Sequence, residues 1–268
     1  MAIIVISRGS FSRGKEIAEK VAGKLGYECI SREALLETSK DFDIPAIRLT
    51  HAIEDLPTVL DRFKYRKESY IAYIQSALSE RLKGDRIVYH GFAAHFFFSG
   101  ISHVLNVRIT ADLEDRIQTV MERDTVSRQE AAAFLNKIDE QRKKWSRYLY
   151  GIDPTNTDHY DLAMHVSKIP TQEVVDSICH IAELRELQPT AESKRAMEDL
   201  IVAAKAKTAL LGVKHNLDVS AEAGVVSVRT SASIAQEPDI VGTVERIVKT
   251  VPGVKDVNVQ VLFQEYPL

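Results

Sequence analysis

Two rhythms of hydrophobic residues run along the first two thirds of this chain. Short apolar runs at residues 3–6, 86–91, 104–109 and 161–166, and a shorter one at 27–30, have the length and β-branched content of buried strands. Between them, apolar residues return every three or four positions and predict helices. These cover residues 14–25, 58–83, 112–123, 127–150 and 171–187, with a short one opening at Ser31 and ending near residue 38. In the second of these, Phe63, Ile71, Ile74, Leu78 and Leu82 form one stripe. Asp112 and Ser127 stand where N-caps belong, and Gly26 and Gly151 where helices stop. Residues 41–57 are less regular and are broken by Pro45 and Pro57. Strands alternating with helices predict an α/β fold: a parallel sheet with right-handed crossovers, flanked by helices. Its ligand site should lie at the carboxyl ends of the strands.

The rhythm changes after residues 187–190. A helix at 192–211 is followed by strands at 216–221 and 225–231, joined by Glu222-Ala223-Gly224, a hairpin turn. A helix at 239–251 stops at Pro252-Gly253. A last strand at 255–263 sets Val257, Val259 and Val261 on one face. The order αββαβ predicts a small α+β domain. We therefore expect two domains, residues 1–188 and 189–268, with the second able to fold alone.

Composition narrows the functional classes. A net charge of −3 gives no basic field to attract nucleic acid. No apolar run approaches membrane-spanning length, and the start of the chain reads as a strand rather than a signal peptide. Cys29 and Cys179 lie far apart without metal spacing, which suits two buried thiols in a reducing cytoplasm. His90, His95 and His103 are close in sequence, but their spacing does not gather them on one helical face. No metal site is expected from them.

The candidate chemistry begins at the end of the first strand. Gly9, Ser10, Phe11, Ser12, Arg13, Gly14 and Lys15 fit the phosphate-loop pattern G-x-x-x-x-G-K, with Glu16 where a Ser or Thr usually follows. In such a loop successive backbone N–H groups face inward and form an anion site. The following helix adds the partial positive charge of its N-terminus. Lys15 could reach the outer phosphates. Glu16 cannot hold Mg²⁺ as a hydroxyl would. Arg116 and Arg123, seven residues apart, share a helix face and read as phosphate ligands or as a solvated face paired with Glu114, Asp115 and Glu122. Lys137, Arg142, Lys143, Lys144 and Arg147 make a basic face further on.

With these motifs in place, residues 2 to about 186 resemble the cytidylate kinase-like family of P-loop proteins, a branch of the nucleoside monophosphate kinases. The resemblance rests on Ile4 to Ala18, Ser31-Arg32-Glu33, Val88-Tyr89-His90-Gly91, Val107-Arg108-Ile109-Thr110-Ala111, Asp139-Glu140-Gln141-Arg142 and Tyr160-Asp161-Leu162. It implies a nucleotide partner, ATP with Mg²⁺ as cofactors, and a mobile lid carrying Arg142. Under it Lys15 holds the outer phosphates, Arg123 and Arg142 meet charge developing in phosphoryl transfer, and Asp139 orients Arg142 or assists the metal. Glu16 is usual for the family. Phe11 and Arg13 stand where it commonly has glycine, and phenylalanine there is expected to crowd the concavity. Ser31 and Phe92 replace a common acidic residue and arginine. These departures keep a second reading open, in which the domain senses or holds a nucleotide without catalysis. Residues about 192–263 resemble a BON module, through Lys207-Thr208-Ala209-Leu210, Gly224-Val225-Val226-Ser227-Val228 and residues 251–257. That implies a binding partner such as a small ligand or a phospholipid surface. An oligomer is compatible with either reading.

Overall fold

The run at residues 3–6 lies at the centre of a five-stranded sheet. Its strand β1 (Ile3–Arg8) is flanked by β3 (Ile87–His90) and β4 (Val104–Thr110). The edges are β2 (Glu28–Ser31) and β5 (Leu162–His165), in the order β2-β3-β1-β4-β5. Every pairing is parallel, as expected. The structure is a computed structural model and describes residues 2–31, 67–91, 94–214, 217–233 and 236–263. The helix read at 31–38, the stretch 41–57 and Phe92 lie outside these residues. Ile3, Ile4, Val5 and Ile6 are at most 1% exposed, so both faces of β1 are covered. That burial is why the sequence shows an unbroken apolar run there and not an alternation.

One face of the sheet is covered by α1 (Gly14–Leu25) and α6 (Thr171–Ala182). Ile17, Val21, Val174 and Ile178 pack with Ile4, Ile6, Leu105 and Val107 in the main core. After β3 comes the short α3 (Ala94–Phe97). After β4, α4 (Leu113–Asp124) and α5 (Arg128–Tyr150) pack together through Ile117, Val120, Ala131 and Leu135. Ser127 starts α5 with a capping box: its hydroxyl accepts from Glu130 N–H, and the Glu130 carboxylate accepts from Ser127 N–H at 2.9 Å. The apolar periodicity read to 187 ends sooner as a helix, because α6 stops at Ala182 and a separate 3₁₀ turn covers Arg185–Leu187. Cys179 is buried on α6, but Cys29 is exposed on the edge strand β2. The expectation of two buried thiols is therefore corrected at Cys29, whose strand is at the edge of the sheet among the described residues.

The carboxyl-terminal elements form a second unit. Strands β6 (Asp218–Glu222), β7 (Val225–Ala232) and β8 (Asp256–Phe263) make a sheet, β6 antiparallel and β8 parallel to β7. Helices α7 (Ala191–Ala209) and α8 (Glu237–Val248) pack on it through Val202, Ala206, Val244 and Val248 against Val226 and Val228. The β6–β7 turn holds Ala223 at φ 51° and Gly224 at φ 84°, the two positive values a two-residue hairpin needs. The Asp199 carboxylate accepts from both of their N–H groups, at 2.9 and 3.1 Å.

The contacts divide the chain differently from its sequence order. One unit takes Met1–Arg62 and Gly84–Thr190; the other takes Phe63–Lys83 with Ala191–Leu268. Helix α2 (Lys67–Arg81) thus belongs with the carboxyl-terminal unit, where it packs along α7. Thr208 Oγ1 donates to Ala72 O at 3.3 Å, and Lys205 Nζ meets Glu80 at 2.5 Å. Leu78 and Leu82 of the expected stripe are fully buried, but so are Ser69, Ala72 and Ser79, small residues that let backbones approach closely. The stripe revealed a buried face without naming what would cover it. Among the described residues no helix is long and apolar enough to cross a membrane.

Candidate functional site: the phosphate loop and its arginines

Strand β1 leads into the loop, and β4 holds the loop in place. Gly9 N–H donates to Ile109 O at 2.9 Å. Ser12 Oγ lies 3.0 Å from Gly9 O and 3.1 Å from Ile109 O, and tethers the turn from inside. Phe11 and Arg13 both adopt left-handed backbone conformations, φ 56° and 60°, where glycine is favoured. At Gly14 an added Cβ would stand 2.6 Å from Arg8 Cβ, so the start of α1 can approach β1 only as glycine. The first-turn N–H groups of α1 have no partners within the helix, which is the arrangement that receives an anion.

The Phe11 ring does not line the cleft beside the loop. It packs on the α4–α5 core, with its centroid 5.9 Å from that of Phe134, and Arg123 Cζ sits 4.5 Å from its centroid. The expected crowding does not arise in this cleft, to which the loop contributes Gly9 and Ser10. The left-handed turn at residue 11 sends the side chain toward the helix pair.

Beside the loop is a cleft of about 280 Å³, lined by Arg8, Gly9, Ser10, Arg108, Arg116, Asp139, Glu140, Arg142, Lys143, Pro154 and Thr155, among others. Five basic side chains face two carboxylates, so the cleft favours anions. Arg116 is held at both ends of its guanidinium. Its Nε donates to Ser10 O at 2.6 Å, its Nη2 to Asp139 Oδ2 at 2.6 Å, and only 12% of the side chain is exposed. Ser10 Oγ is buried and has no hydrogen-bond partner among the described residues. At the far side of the cleft Asp153 gathers Arg147 at 2.7 Å and Lys143 at 3.7 Å. Hydrogen bonds from the Thr155 hydroxyl and amide, then from Arg147, with the charge of Lys143, hold its carboxyl well below the usual range.

Arg108 and Pro154, which line the cleft, belong also to a polar cluster around Tyr160. Arg108 Nη1 donates to Tyr160 Oη at 3.2 Å, and the guanidinium lies over the tyrosine ring, 5.4 Å from its centroid. Tyr160 Oη donates to Pro154 O at 3.0 Å and lies 3.0 Å from His95 Nε2. Burial, with Arg108 and His159 nearby, pushes the His95 pKa down to about 3, so this imidazole is neutral.

Of the expected site residues, Lys15, Glu16 and Arg123 do not line this cleft. The Lys15 side chain is 64% exposed, with Nζ 3.8 Å from Glu19. Glu16 pairs with Lys20 at 2.7 Å. Arg123 is bound to Asp124 and stacked on Phe11. Asp139 bonds Arg116 and not Arg142, while Arg142 does line the cleft. Of the loop, Gly9 and Ser10 line it; Phe11, Ser12, Arg13, Gly14, Lys15 and Glu16 do not. Arg108 and Tyr160 stand in two of the motifs that carry the resemblance, but neither was given a role at the site. The usable signal was the one charged residue in a strand, Val104–Thr110, that is otherwise apolar or neutral. His90, His95 and His103 are all buried, and among the described residues no three His, Cys, Asp or Glu side chains gather as a metal site.

The chain is 24% identical over 184 residues to the cytidylate kinase of Ignicoccus hospitalis, covering 66% of this chain and 97% of that one. It is 23% identical over 186 residues to the cytidylate kinase of Sulfolobus acidocaldarius, covering 69% and 96%. A crystal structure of an uncharacterized protein from Eubacterium ventriosum superposes with a TM-score of 0.54 at 22% identity, over 69% of this chain and all of that one. It shares the fold. The sequence model described as the cytidylate kinase-like family matches residues 3–168, more than half the chain. The chain belongs to the cytidylate kinase-like family.

Proposed function

We propose that the amino-terminal unit binds a nucleotide at the Gly9–Lys15 loop and transfers a phosphoryl group from ATP to a nucleoside monophosphate. The observation that carries this reading is the convergence of Arg108, Arg116 and Arg142 on one cleft beside the loop. Phosphoryl transfer is catalysed mostly by positioning and charge neutralisation, and three guanidiniums supply both. Arg116 also ties the loop to the lid helix α5 through Ser10 O and Asp139. Lys15 enters from outside the cleft. Its contact to Glu19 is exposed and 3.8 Å long, worth at most about 1 kcal/mol, so a bound polyphosphate would outcompete it.

Mg²⁺ is the metal that family membership implies. Glu16 and Asp139 are engaged with Lys20 and Arg116, so the oxygens on hand are Glu140 and Ser10 Oγ. Such a donor set suits a metal held largely by the nucleotide's own phosphates, where it would neutralise their charge. For the carboxyl-terminal unit the αββαβ order supports the BON reading. A ligand there would be sought in the cleft of about 590 Å³ lined by Lys83, Arg195, Lys205 and Lys255 with Glu198 and Asp199.

A coupled assay with ATP over the common nucleoside monophosphates tests the reading. Turnover is expected for at least one acceptor, with a loss of about a hundredfold or more in kcat for Lys15→Ala. A silent panel accompanied by calorimetric binding of ATP would replace catalysis with nucleotide sensing. Silence in both experiments would remove the nucleotide.

A further inference from the structure

We propose that Tyr160, itself held by His95, is a positioning residue that sets the Arg108 guanidinium in the cleft. The inference rests on the reading that this cleft takes phosphate. It begins with register: Ser7 and Arg108 are directly paired between β1 and β4, so Arg108 emerges beside the residue that leads into the loop. An arginine there has a long stem and many rotamers. Something must fix its head group if it is to meet a phosphate in one geometry. Tyr160 does so in two ways, by accepting from Nη1 at 3.2 Å and by placing its ring under the guanidinium. Ser7 Oγ adds a longer contact to Nη1 at 3.4 Å.

Tyr160 is in turn immobilised from its backbone outward. Its N–H closes a 3₁₀ turn on Thr157 O at 3.0 Å. The next residue, Asp161, is bonded twice to Asn106 of β4, donating N–H to Asn106 O at 2.9 Å and accepting from Asn106 N–H at 2.7 Å. The tyrosine hydroxyl has a single proton, and Pro154 O can only accept it. The remaining close contacts are His95 Nε2 at 3.0 Å, Arg108 Nη1 at 3.2 Å and Ser7 Oγ at 3.3 Å; with the tyrosine proton on Pro154 O, the His95 ring and Arg108 must donate to the tyrosine oxygen. This fixes His95 as the neutral imidazole protonated on Nε2. Its Nδ1 is then a bare acceptor, buried and without a partner among the described residues. A purely structural site would do better with phenylalanine, which carries no orphaned nitrogen. Retaining the imidazole is explained if its Nε2–H matters for Tyr160, and through Tyr160 for Arg108. The rings support this order: His95 packs at a tilt against Tyr160, 4.7 Å and 31°, and against Phe96, 3.8 Å and 50°.

A double-mutant cycle on the full chain tests this, with inorganic pyrophosphate titrated by calorimetry at fixed ionic strength. Tyr160→Phe is expected to weaken binding about five- to tenfold in the wild-type background and less than about twofold in Arg108→Ala. His95→Phe is expected to weaken binding in the same Arg108-dependent way while leaving the melting temperature unchanged or raised. A merely structural histidine would lower both together. Equal losses in both backgrounds would overturn the inference and leave the phosphate reading standing. It is also overturned if Arg108→Ala alone leaves binding intact; if Lys15→Ala and Arg116→Ala are equally silent, the phosphate reading of the cleft falls as well.

Discussion

Phe11 and Arg13 share a left-handed backbone but bear opposite consequences. A non-glycine residue there costs roughly 1–2 kcal/mol. Arg13 is exposed, so little offsets that cost. Arg13→Gly should stabilise the protein by up to about 1 kcal/mol in a denaturant melt, after the extra chain entropy of glycine is deducted. Phe11→Gly relieves the same strain but removes a ring packed on Phe134 and beneath Arg123, so a net loss of about 1–2 kcal/mol is expected. Gly14→Ala should cost about 1–3 kcal/mol, because the new methyl meets Arg8 Cβ, which cannot swing aside. His95 gives a pH signature. Its folded pKa lies near 3, below the ordinary 6.5, so between those values the unfolded chain binds the extra proton. Its contribution is complete above pH 6.5 and falls by about 1.4 kcal/mol per pH unit as pH drops toward 3. His95→Phe should flatten that part of the stability curve. Little of this was legible in the sequence. The pattern G-x-x-x-x-G-K located the loop, but the direction of the Phe11 ring follows from backbone torsion. The link from Arg108 to Tyr160 joins residues 52 apart in sequence that no periodicity connects.

Elements were more legible, because caps and periodicity are local. Helix α1 runs over the residues expected, since Gly14 permits its start against β1 and Gly26 its left-handed stop at φ 67°. Helix α5 begins at the expected Ser127 with both halves of its capping box. Ser127→Ala should cost about 1 kcal/mol and lower the melting temperature. Pyrophosphate affinity should stay within about twofold, because Asp139 and Arg142 lie several turns beyond the end that frays. A large loss of affinity would mean that the whole α4–α5 pair responds as one body. The carboxyl end of α6 was not legible, since the apolar spacing continues through Leu184 and Leu187 after the helix has given way to a 3₁₀ turn.

For the whole molecule, the departure from sequence order is α2. Its stripe showed a helix with a buried face, but an apolar face does not say which domain it will cover, and the small buried residues Ser69, Ala72 and Ser79 were not part of the stripe. Because α2 packs along α7, a fragment of residues 189–268 alone should lack a cooperative melt, contrary to the simple expectation from its αββαβ order. Linking residues 63–83 to that fragment should restore one. A cooperative melt of the short fragment at the same midpoint as the longer one would show α2 to be dispensable. The interleaved order also sets a timetable for synthesis. Helix α2 leaves the ribosome well before α7, with β3, β4, β5 and four helices made in between. At ordinary elongation rates the wait is on the order of ten seconds, during which its small-residue face has no α7 to cover it. A nascent chain stalled before Ala191 should therefore be protected from protease at β1, β3 and β4 while remaining cleavable between Lys67 and Arg81.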